Sequence, residues 1–200
     1  FPMENNITFI STVPGLSSVK DVVPRPSSKA LPKWWVDTPL IPHGMSIYDT
    51  EGGNVKTCPS FPDYFSQGIV IPMWTDVILS YQGEPNLWFW RTPDKQFEWS
   101  SHSGEQFLDH VPFEYKGLKA KFVFKAICPW RIITPPGYSC LQLPLFYHDT
   151  NDFAVLPGII DTDRLHQLNQ QVLYLSDEKE IFIKRGTPFV QYFPFKREKD

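Results

Sequence analysis

The 200-residue sequence has little of what marks several large classes of protein. Its three cysteines, Cys58, Cys128 and Cys140, are too few for a disulfide framework, and their spacing does not suit a zinc site. The longest apolar stretch near the middle of the chain, residues 69–74, is far shorter than the ~20 residues of a membrane-spanning helix. Lysine and arginine (19) do not outnumber aspartate and glutamate (22), so no basic surface is predicted. We therefore expect a cytoplasmic protein with buried, reduced thiols and with neither a nucleic-acid nor a membrane partner.

Proline, in contrast, is abundant. The chain has 20 prolines and 16% aromatic residues, a composition that argues against a helix bundle. Prolines are dense before residue 45, which allows only short helical turns there. Two adjacent tryptophans, Trp34 and Trp35, need a large surface to cover them, so this arm should wrap around the rest of the protein. We predict one domain over residues 1–200, made of a proline-rich arm (1–45), a β core (46–195) and a charged tail (196–200).

Short apolar or alternating segments dominate the β core. About ten of them recur at intervals of roughly 8–12 residues, separated by Pro, Gly, Asn and Asp, which is typical of β-sandwiches and barrels. Two of these predicted strands, 121–127 and 131–134, lie on either side of Pro129. In the second half of the chain only residues 163–171 look helical, and that stretch is short and polar. Because strands do not alternate with helices, the sequence predicts an all-β fold, a distorted sandwich or barrel.

An aromatic run, Trp88, Phe89 and Trp90, lies in one predicted strand and is followed by Arg91. Period-two alternation puts Trp88 and Trp90 on one face and Phe89 on the other. Such rings, together with Trp99, could stack on sugars or bases. We favour burial on both sides of the strand inside a sandwich core.

The last third of the chain carries two ordered elements. A Gly-x-Ile-Asp-x-Asp element lies at residues 158–163, and a Lys-Arg-Gly-x-x-x-x-Gln element lies at residues 184–191. Their order is similar to the β-clip layout of trimeric dUTPases and dCTP deaminases, except that Arg185 is inserted after the lysine. The resemblance covers residues 135–194 and implies a β-clip-like C-terminal half. Since β-clip relatives are often trimers, it also implies self-association as a homo-oligomer.

Asp161 and Asp163 are the candidate catalytic residues. In an extended segment both side chains lie on one face, where paired carboxylates can do acid–base chemistry or hold a magnesium ion. They can equally accept hydrogen bonds from backbone amides at the end of a strand. Nearby, Arg164 stands where dUTPases have the tyrosine that stacks on the base, His166 stands where they have glycine, and their Ser-Gly phosphate element is missing near Pro144. These departures imply that the nucleotide chemistry has been lost.

His102, Glu105 and His110 are the candidate metal ligands. On a β scaffold, two histidines and a carboxylate can form the facial triad of a non-haem iron oxygenase or a cupin-like site. Two residues separate His102 from Glu105, however, whereas His-x-Asp/Glu is the usual spacing. A polar surface loop is the alternative interpretation, and a divalent metal is the cofactor that these residues suggest.

Residues 30–35, 55–63, 68–76 and 134–140, together with the C-terminal elements, form a longer pattern. This pattern resembles a family of proteins from marine and T4-like phages, and the resemblance implies a phage origin without implying an activity. The location would then be the host cytoplasm or the virion. We therefore hypothesise a non-catalytic, phage-related binding or structural protein. The alternative is an enzyme, either a diverged nucleotide hydrolase that uses Asp161 and Asp163 or a metal-dependent oxygenase.

Overall fold

The computed structural model describes residues 7–40, 54–83, 88–102, 114–115 and 118–198. Two short α-helices lie in these ranges, α1 (Lys33–Asp37) and α2 (Ser60–Ser66). Three 3-10 helical turns, Leu16–Ser18, Ser27–Lys29 and Val55–Thr57, and fifteen strands account for the rest of the regular structure in these ranges. The strands are β1 (Thr8–Ser11), β2 (Arg25–Pro26), β3 (Ile69–Pro72), β4 (Val77–Tyr81), β5 (Trp88–Arg91), β6 (Trp99–Ser101), β7 (Glu114–Tyr115), β8 (Leu118–Lys119), β9 (Phe122–Ile133), β10 (Tyr138–Leu143), β11 (Phe153–Val155), β12 (Gly158–Ile160), β13 (Gln167–Tyr174), β14 (Glu180–Ile183) and β15 (Pro188–Lys196). The predicted all-β class is confirmed. Neither helix has the length and apolar character that crossing a lipid bilayer requires, and the described ranges contain no other candidate.

Antiparallel pairing joins the strands into three larger sheets and one ribbon. The first sheet has the order β1-β9-β13-β11, and β6 also pairs with β9. The second sheet has the order β12-β10-β15-β3-β2, and the third has the order β14-β4-β5. β7 and β8 form a separate two-stranded ribbon. Most neighbours in the sheets are distant in sequence, so the fold depends on long-range pairing.

One hydrophobic cluster joins the three larger sheets. Phe124 of the first sheet, Tyr192 of the second and Leu79 of the third all belong to it, and each is fully buried. Aromatic rings provide much of its volume. They make edge-to-face contacts, such as that of Trp74 with Phe189, whose ring centroids lie 5.7 Å apart. Because the sheets share this core, each depends on the others for burial of its apolar face.

The described part of the N-terminal arm packs against its own chain. β1 pairs with β9, and β2 pairs with β3, so the arm adds an edge strand to each of the first two sheets. Trp35 of α1 is buried against Phe65 of α2, with ring centroids 4.6 Å apart, whereas Trp34 stays 39% exposed. The expectation that this arm wraps around the β core holds for residues 7–40.

β9 runs without interruption through Pro129, so the expected break between two strands is wrong. On the neighbouring strand β13, Gln167 pairs with Arg131. Asn169 pairs with Ile127, so two residue steps along β13 lie opposite four residue steps along β9. β9 therefore has two extra residues here, which form a β-bulge. A proline, which has no N–H to donate, is tolerated at a bulge because the ladder of hydrogen bonds is already interrupted.

The expected helical character of residues 163–171 is also wrong, because β13 occupies most of that stretch. Leu168, Gln170 and Val172 are all fully buried, and they alternate with more exposed residues in the period of a strand. Gln170 can be buried because its amide donates a hydrogen bond to the Tyr192 hydroxyl at 2.8 Å. Because Gln170 is polar although it is buried, the sequence does not show the alternation of apolar and polar residues that would indicate a strand here.

The cysteines are free thiols, as expected, but they are not all buried. Cys128 and Cys140 lie in the core, whereas Cys58 is exposed. Burial raises the pKa of the Cys128 thiol to about 12, so this side chain stays protonated and behaves as a small apolar residue.

Candidate functional site

The structure brings the two candidate catalytic carboxylates together beside the second sheet. Asp161 is the first residue after β12, and Asp163 is two residues further along. Thr162 between them is fully buried, and its Oγ1 lies 2.8 Å from Oγ1 of Thr134. Residues 161–165 form a turn and not the extended segment that the sequence suggested, because the backbone N–H groups of Arg164 and Leu165 donate to the carbonyl of Asp161 at 2.9 and 2.8 Å. The Asp161 side chain is 48% exposed, whereas that of Asp163 is only 7% exposed.

Arg197, the residue after β15, binds both carboxylates. Its Nη2 donates to Asp163 Oδ2 at 2.5 Å and its Nη1 to Asp163 Oδ1 at 3.0 Å, which makes a bidentate pair. Nη1 also lies 2.9 Å from Asp161 Oδ1. We call Asp161, Asp163 and Arg197 the acidic clamp. Residues 196–200 were expected to form a charged tail, but Lys196 ends β15 and Arg197 is partly buried in these ion pairs.

The turn before β10 and the start of that strand supply the other donors to the acidic clamp. The backbone N–H of Gly137 donates to Asp163 Oδ2 at 2.8 Å, and Ser139 Oγ donates to Asp161 Oδ1 at 2.7 Å. The carbonyl of Gly137 in turn accepts from the backbone N–H of Arg197 at 2.8 Å. Gly137 has a φ of +82°, which a glycine adopts without strain. The clamp thus ties the end of β15 to the turns before β10 and after β12.

These contacts set the charge of both carboxylates. The Arg197 guanidinium, helped by the Gly137 N–H, lowers the pKa of Asp163 to about 2. The hydrogen bond from Ser139 is the main cause that lowers the pKa of Asp161. A carboxylate with such a low pKa is a weak base at neutral pH, and a magnesium ion would have to displace the guanidinium to reach these oxygens. The geometry suits a tie between chain segments, and the catalytic role of the two aspartates stays a prediction.

Of the three predicted metal ligands, only His102 lies among the described residues. Glu105 and His110 lie outside them. His102 follows β6, and its backbone N–H donates to the carbonyl of Val123 at 3.2 Å. Within the ranges that the structure describes, no three His, Cys, Asp or Glu side chains come together as a metal site requires. The metal triad therefore also stays a prediction.

The third sheet exposes large apolar side chains. Ile78 of the central strand β4 pairs with Phe182 of β14, so both side chains lie on the same face. Phe182 is 60% exposed and Phe89 of β5 is 58% exposed on that face. The expected burial of the aromatic run on both sides is therefore wrong for Phe89. Trp88 and Trp90 point the other way and pack against the core.

Charges of both signs accompany these rings. Arg91 and Glu180 lie on opposite edge strands of the third sheet and form an ion pair across β4, with Nη2 2.8 Å from Oε1. Ser80 Oγ of β4 also donates to Glu180 Oε1 at 2.7 Å. We call the surface formed by Ile78, Phe89, Arg91, Glu180 and Phe182 the outer face. Sequence reasoning missed it because a strand pattern does not say which of its two faces is covered.

No protein-family model matches this chain, and no curated protein sequence matches it. Among solved structures, a mutant dUTPase from phage phi11 of S. aureus is similar over 66% of this chain and 78% of that one, with 14% sequence identity and a TM-score of 0.35. That dUTPase is described as coordinating a structural Mg(II) ion. A TM-score and a sequence identity this low give no information about the activity of the present chain. Its function is therefore inferred from its own geometry.

Proposed function

We propose that this chain is a non-catalytic, phage-encoded binding or structural protein of β-clip-like fold that assembles with copies of itself through the outer face. The observation that carries the proposal is the exposure of Phe89 and Phe182 on the same face of the third sheet, on its two edge strands. Full burial of a phenylalanine side chain stabilises an interface by about 1.5–3 kcal/mol. Both rings keep more than half of their surface for a partner, and single exposed residues would not form such a patch.

The charges on the outer face favour a second copy as that partner. Arg91 and Glu180 give the face one charge of each sign. A surface with equal charges of both signs is complementary to itself, because a two-fold axis can set the arginine of one copy against the glutamate of the other. β5 and β14 are the edge strands of this sheet, and in the described part of the chain they pair only with β4. These edge strands could therefore also pair with the edge strands of a second copy.

The acidic clamp supports the non-catalytic part of the proposal. Three of its four carboxylate oxygens accept from donors of the same chain, chiefly Arg197. The motif pattern of residues 30–35 and 134–140 supports the phage origin, and with it a place in the host cytoplasm or in the virion.

The test is the mass of the protein in solution, measured by sedimentation equilibrium. We expect the wild type to form a defined homo-oligomer and the double variant Phe89→Ser/Phe182→Ser to be a monomer with an unchanged circular dichroism spectrum. The matched control is Ile159→Ser/Leu165→Ser, because these residues are 66% and 58% exposed but lie outside the outer face. A wild type that is monomeric at about 100 µM, where micromolar interfaces are saturated, would contradict the proposal. So would a double variant that assembles as the wild type does.

A thermal-shift panel separates this proposal from the enzymatic alternative. The ligands are dUTP with magnesium, and iron with 2-oxoglutarate, each against a chelator control. A ligand at about 100 times its Kd adds ~2.7 kcal/mol of stability, which corresponds to several degrees in Tm. Stabilisation by dUTP and magnesium that disappears in Asp161→Asn would show that the clamp is a catalytic site after all.

A further inference from the structure

A cleft of about 390 Å³ lies where the N-terminal arm crosses the β core. Four separate segments line this arm cleft: residues 13–19 of the arm, residues 74–76 between β3 and β4, residues 93–97 after β5, and Arg185 between β14 and β15. Ligand pockets typically measure about 300–1,000 Å³, so the arm cleft has the size for a small metabolite. It lies apart from the outer face and from the acidic clamp, whose residues do not line it.

The floor of the arm cleft is apolar, but it contains one buried hydrogen-bond donor. Leu16, Trp74 and Phe97 line the cleft and are buried to at least nine-tenths. The indole N–H of Trp74 is inaccessible to water and makes no hydrogen bond with any described residue. A buried donor without an acceptor costs about 1–3 kcal/mol. This N–H lies behind the surface of the cleft, so Trp74 contributes its ring to the apolar floor.

Arg185 adds strong donors at the rim. Its Nε donates to Asp21 Oδ2 at 2.9 Å, which holds the guanidinium in one orientation. Its backbone N–H donates to Asp76 Oδ1 at 2.7 Å. The terminal amino groups of Arg185 make no hydrogen bond within the described ranges, and half of the side chain is exposed. A guanidinium fixed at Nε and open at its terminal groups is suited to a carboxylate.

Two carboxylates line the same cleft. Asp76 uses Oδ1 to accept from the backbone of Arg185, and Asp94 Oδ1 accepts from the backbone N–H of Gln96 at 2.9 Å. Together with Asp21, which pairs with Arg185, these side chains give the cleft more negative than positive charge. A simple anion is therefore a poor match, whereas a ligand that carries both a carboxylate and an ammonium group matches the donors and the acceptors.

We propose that the arm cleft binds a free α-amino acid with an apolar side chain. The ligand carboxylate accepts hydrogen bonds from the terminal amino groups of Arg185. The ligand ammonium group lies against Asp76 and Asp94, and its side chain packs on the apolar floor. This ligand site goes beyond the proposed assembly through the outer face, and neither depends on the other.

Isothermal titration calorimetry on the wild-type protein tests the proposal with L-phenylalanine and L-leucine. Two analogues separate the charges: 3-phenylpropanoate lacks the ammonium group, and phenethylamine lacks the carboxylate. We expect saturable binding of an amino acid and binding at least about tenfold weaker for each analogue. Arg185→Gln should weaken binding of the amino acid about tenfold and leave phenethylamine unaffected. Asp94→Asn should weaken binding of the amino acid and leave 3-phenylpropanoate unaffected.

The matched control is Lys121→Gln. Lys121 resembles Arg185 in having a single acidic partner, Asp177, but it lies neither in the arm cleft nor on the outer face. We expect this variant to bind the amino acid as the wild type does. As a second readout, the indole N–H resonance of Trp74, assigned by its loss in Trp74→Phe, should shift when L-phenylalanine binds, because the Trp74 ring lines the cleft. The proposal is overturned if neither amino acid gives saturable heat at about 10 mM, or if Arg185→Gln binds as tightly as the wild type.

Discussion

The hydroxyl group of Tyr192 joins two glutamines at the centre of the core. Tyr192 is fully buried, donates to Gln142 Oε1 at 2.6 Å and accepts from Gln170 Nε2 at 2.8 Å. Gln142 Nε2 in turn donates to the carbonyl of Leu156 at 2.8 Å. Burial raises the pKa of Tyr192 well above its ordinary value, so the hydroxyl remains a donor at every practical pH. These hydrogen bonds connect β13 of the first sheet with β10 and β15 of the second.

Tyr192→Phe removes this hydroxyl and changes nothing else in shape. It leaves the Gln142 carbonyl without a donor and removes the oxygen acceptor of the Gln170 amide, which then has only the weakly accepting Cys128 thiol beside it, both in the core. Each unsatisfied buried group costs about 1–3 kcal/mol, and some relaxation is expected, so we predict a loss of about 2–4 kcal/mol in the free energy of unfolding. For a chain of this size each kcal/mol lowers Tm by about 2–4 °C, which gives a fall of roughly 5–15 °C.

Urea unfolding followed by circular dichroism measures this loss. The matched control is Tyr81→Phe, because the hydroxyl of Tyr81 makes no hydrogen bond within the described part of the chain and should be worth less than about 0.5 kcal/mol. Adding Gln170→Leu to Tyr192→Phe removes one of the two unsatisfied groups and should recover part of the loss. If Tyr192→Phe unfolds within about 0.5 kcal/mol of the wild type, the reasoning is refuted.

Two further predictions concern the acidic clamp and the glycine turns. Since Arg197 lowers the pKa of Asp163 to about 2, the stabilisation from this carboxylate is complete above the ordinary pKa of about 3.9 and is lost as the pH falls towards 2. Tm measured against pH should therefore fall less steeply below pH 4 in Asp163→Asn than in the wild type, and parallel curves would contradict the ion pair. Gly68→Ala and Gly83→Ala both place an L residue at positive φ (+79° and +89°), which costs about 1–2 kcal/mol in each case. A Cβ on residue 68 would also lie 2.8 Å from the backbone oxygen of Tyr192, so Gly68→Ala should cost at least about 1 kcal/mol more in urea unfolding than Gly83→Ala, and equal costs would show that this close approach relaxes freely.

The sequence predicts strands well where apolar residues alternate and turn residues follow. β14 is such a case: Ile181 and Ile183 point inward, Glu180 and Phe182 point outward, and the expected strand at 180–184 is found at Glu180–Ile183. Prediction of a strand from the sequence fails where a buried side chain is polar. Gln170 reads as a surface residue until its partner Tyr192 is known, and that partner lies on a strand of another sheet. Periodicity alone contains no information about such a partner.

The candidate sites, too, could be predicted from the sequence only in part. The sequence paired Asp161 with Asp163 by assuming an extended segment, but these residues lie in a turn, and it is Arg197 that holds the two carboxylates together. Arg197 could not be added, since 34 residues separate it from Asp163 and only the pairing of β15 with β10 brings it to the turn. Likewise, the arm cleft takes lining residues from four distant segments, and no local motif joins Trp74 with Arg185.

The pairing of β1 with β9 has a consequence for the synthesis of the protein. Thr8 of β1 pairs with Ile133 of β9, which leaves the ribosome about 125 residues later. At about 5–20 residues per second, β1 waits roughly 6–25 s for the strand that it will join. During that time the arm is unpaired, and it can join β9 of another copy whose own β1 has not yet paired. The topology therefore gives an opportunity for exchange of the arm between copies that fold at the same time, and slower translation would lengthen it.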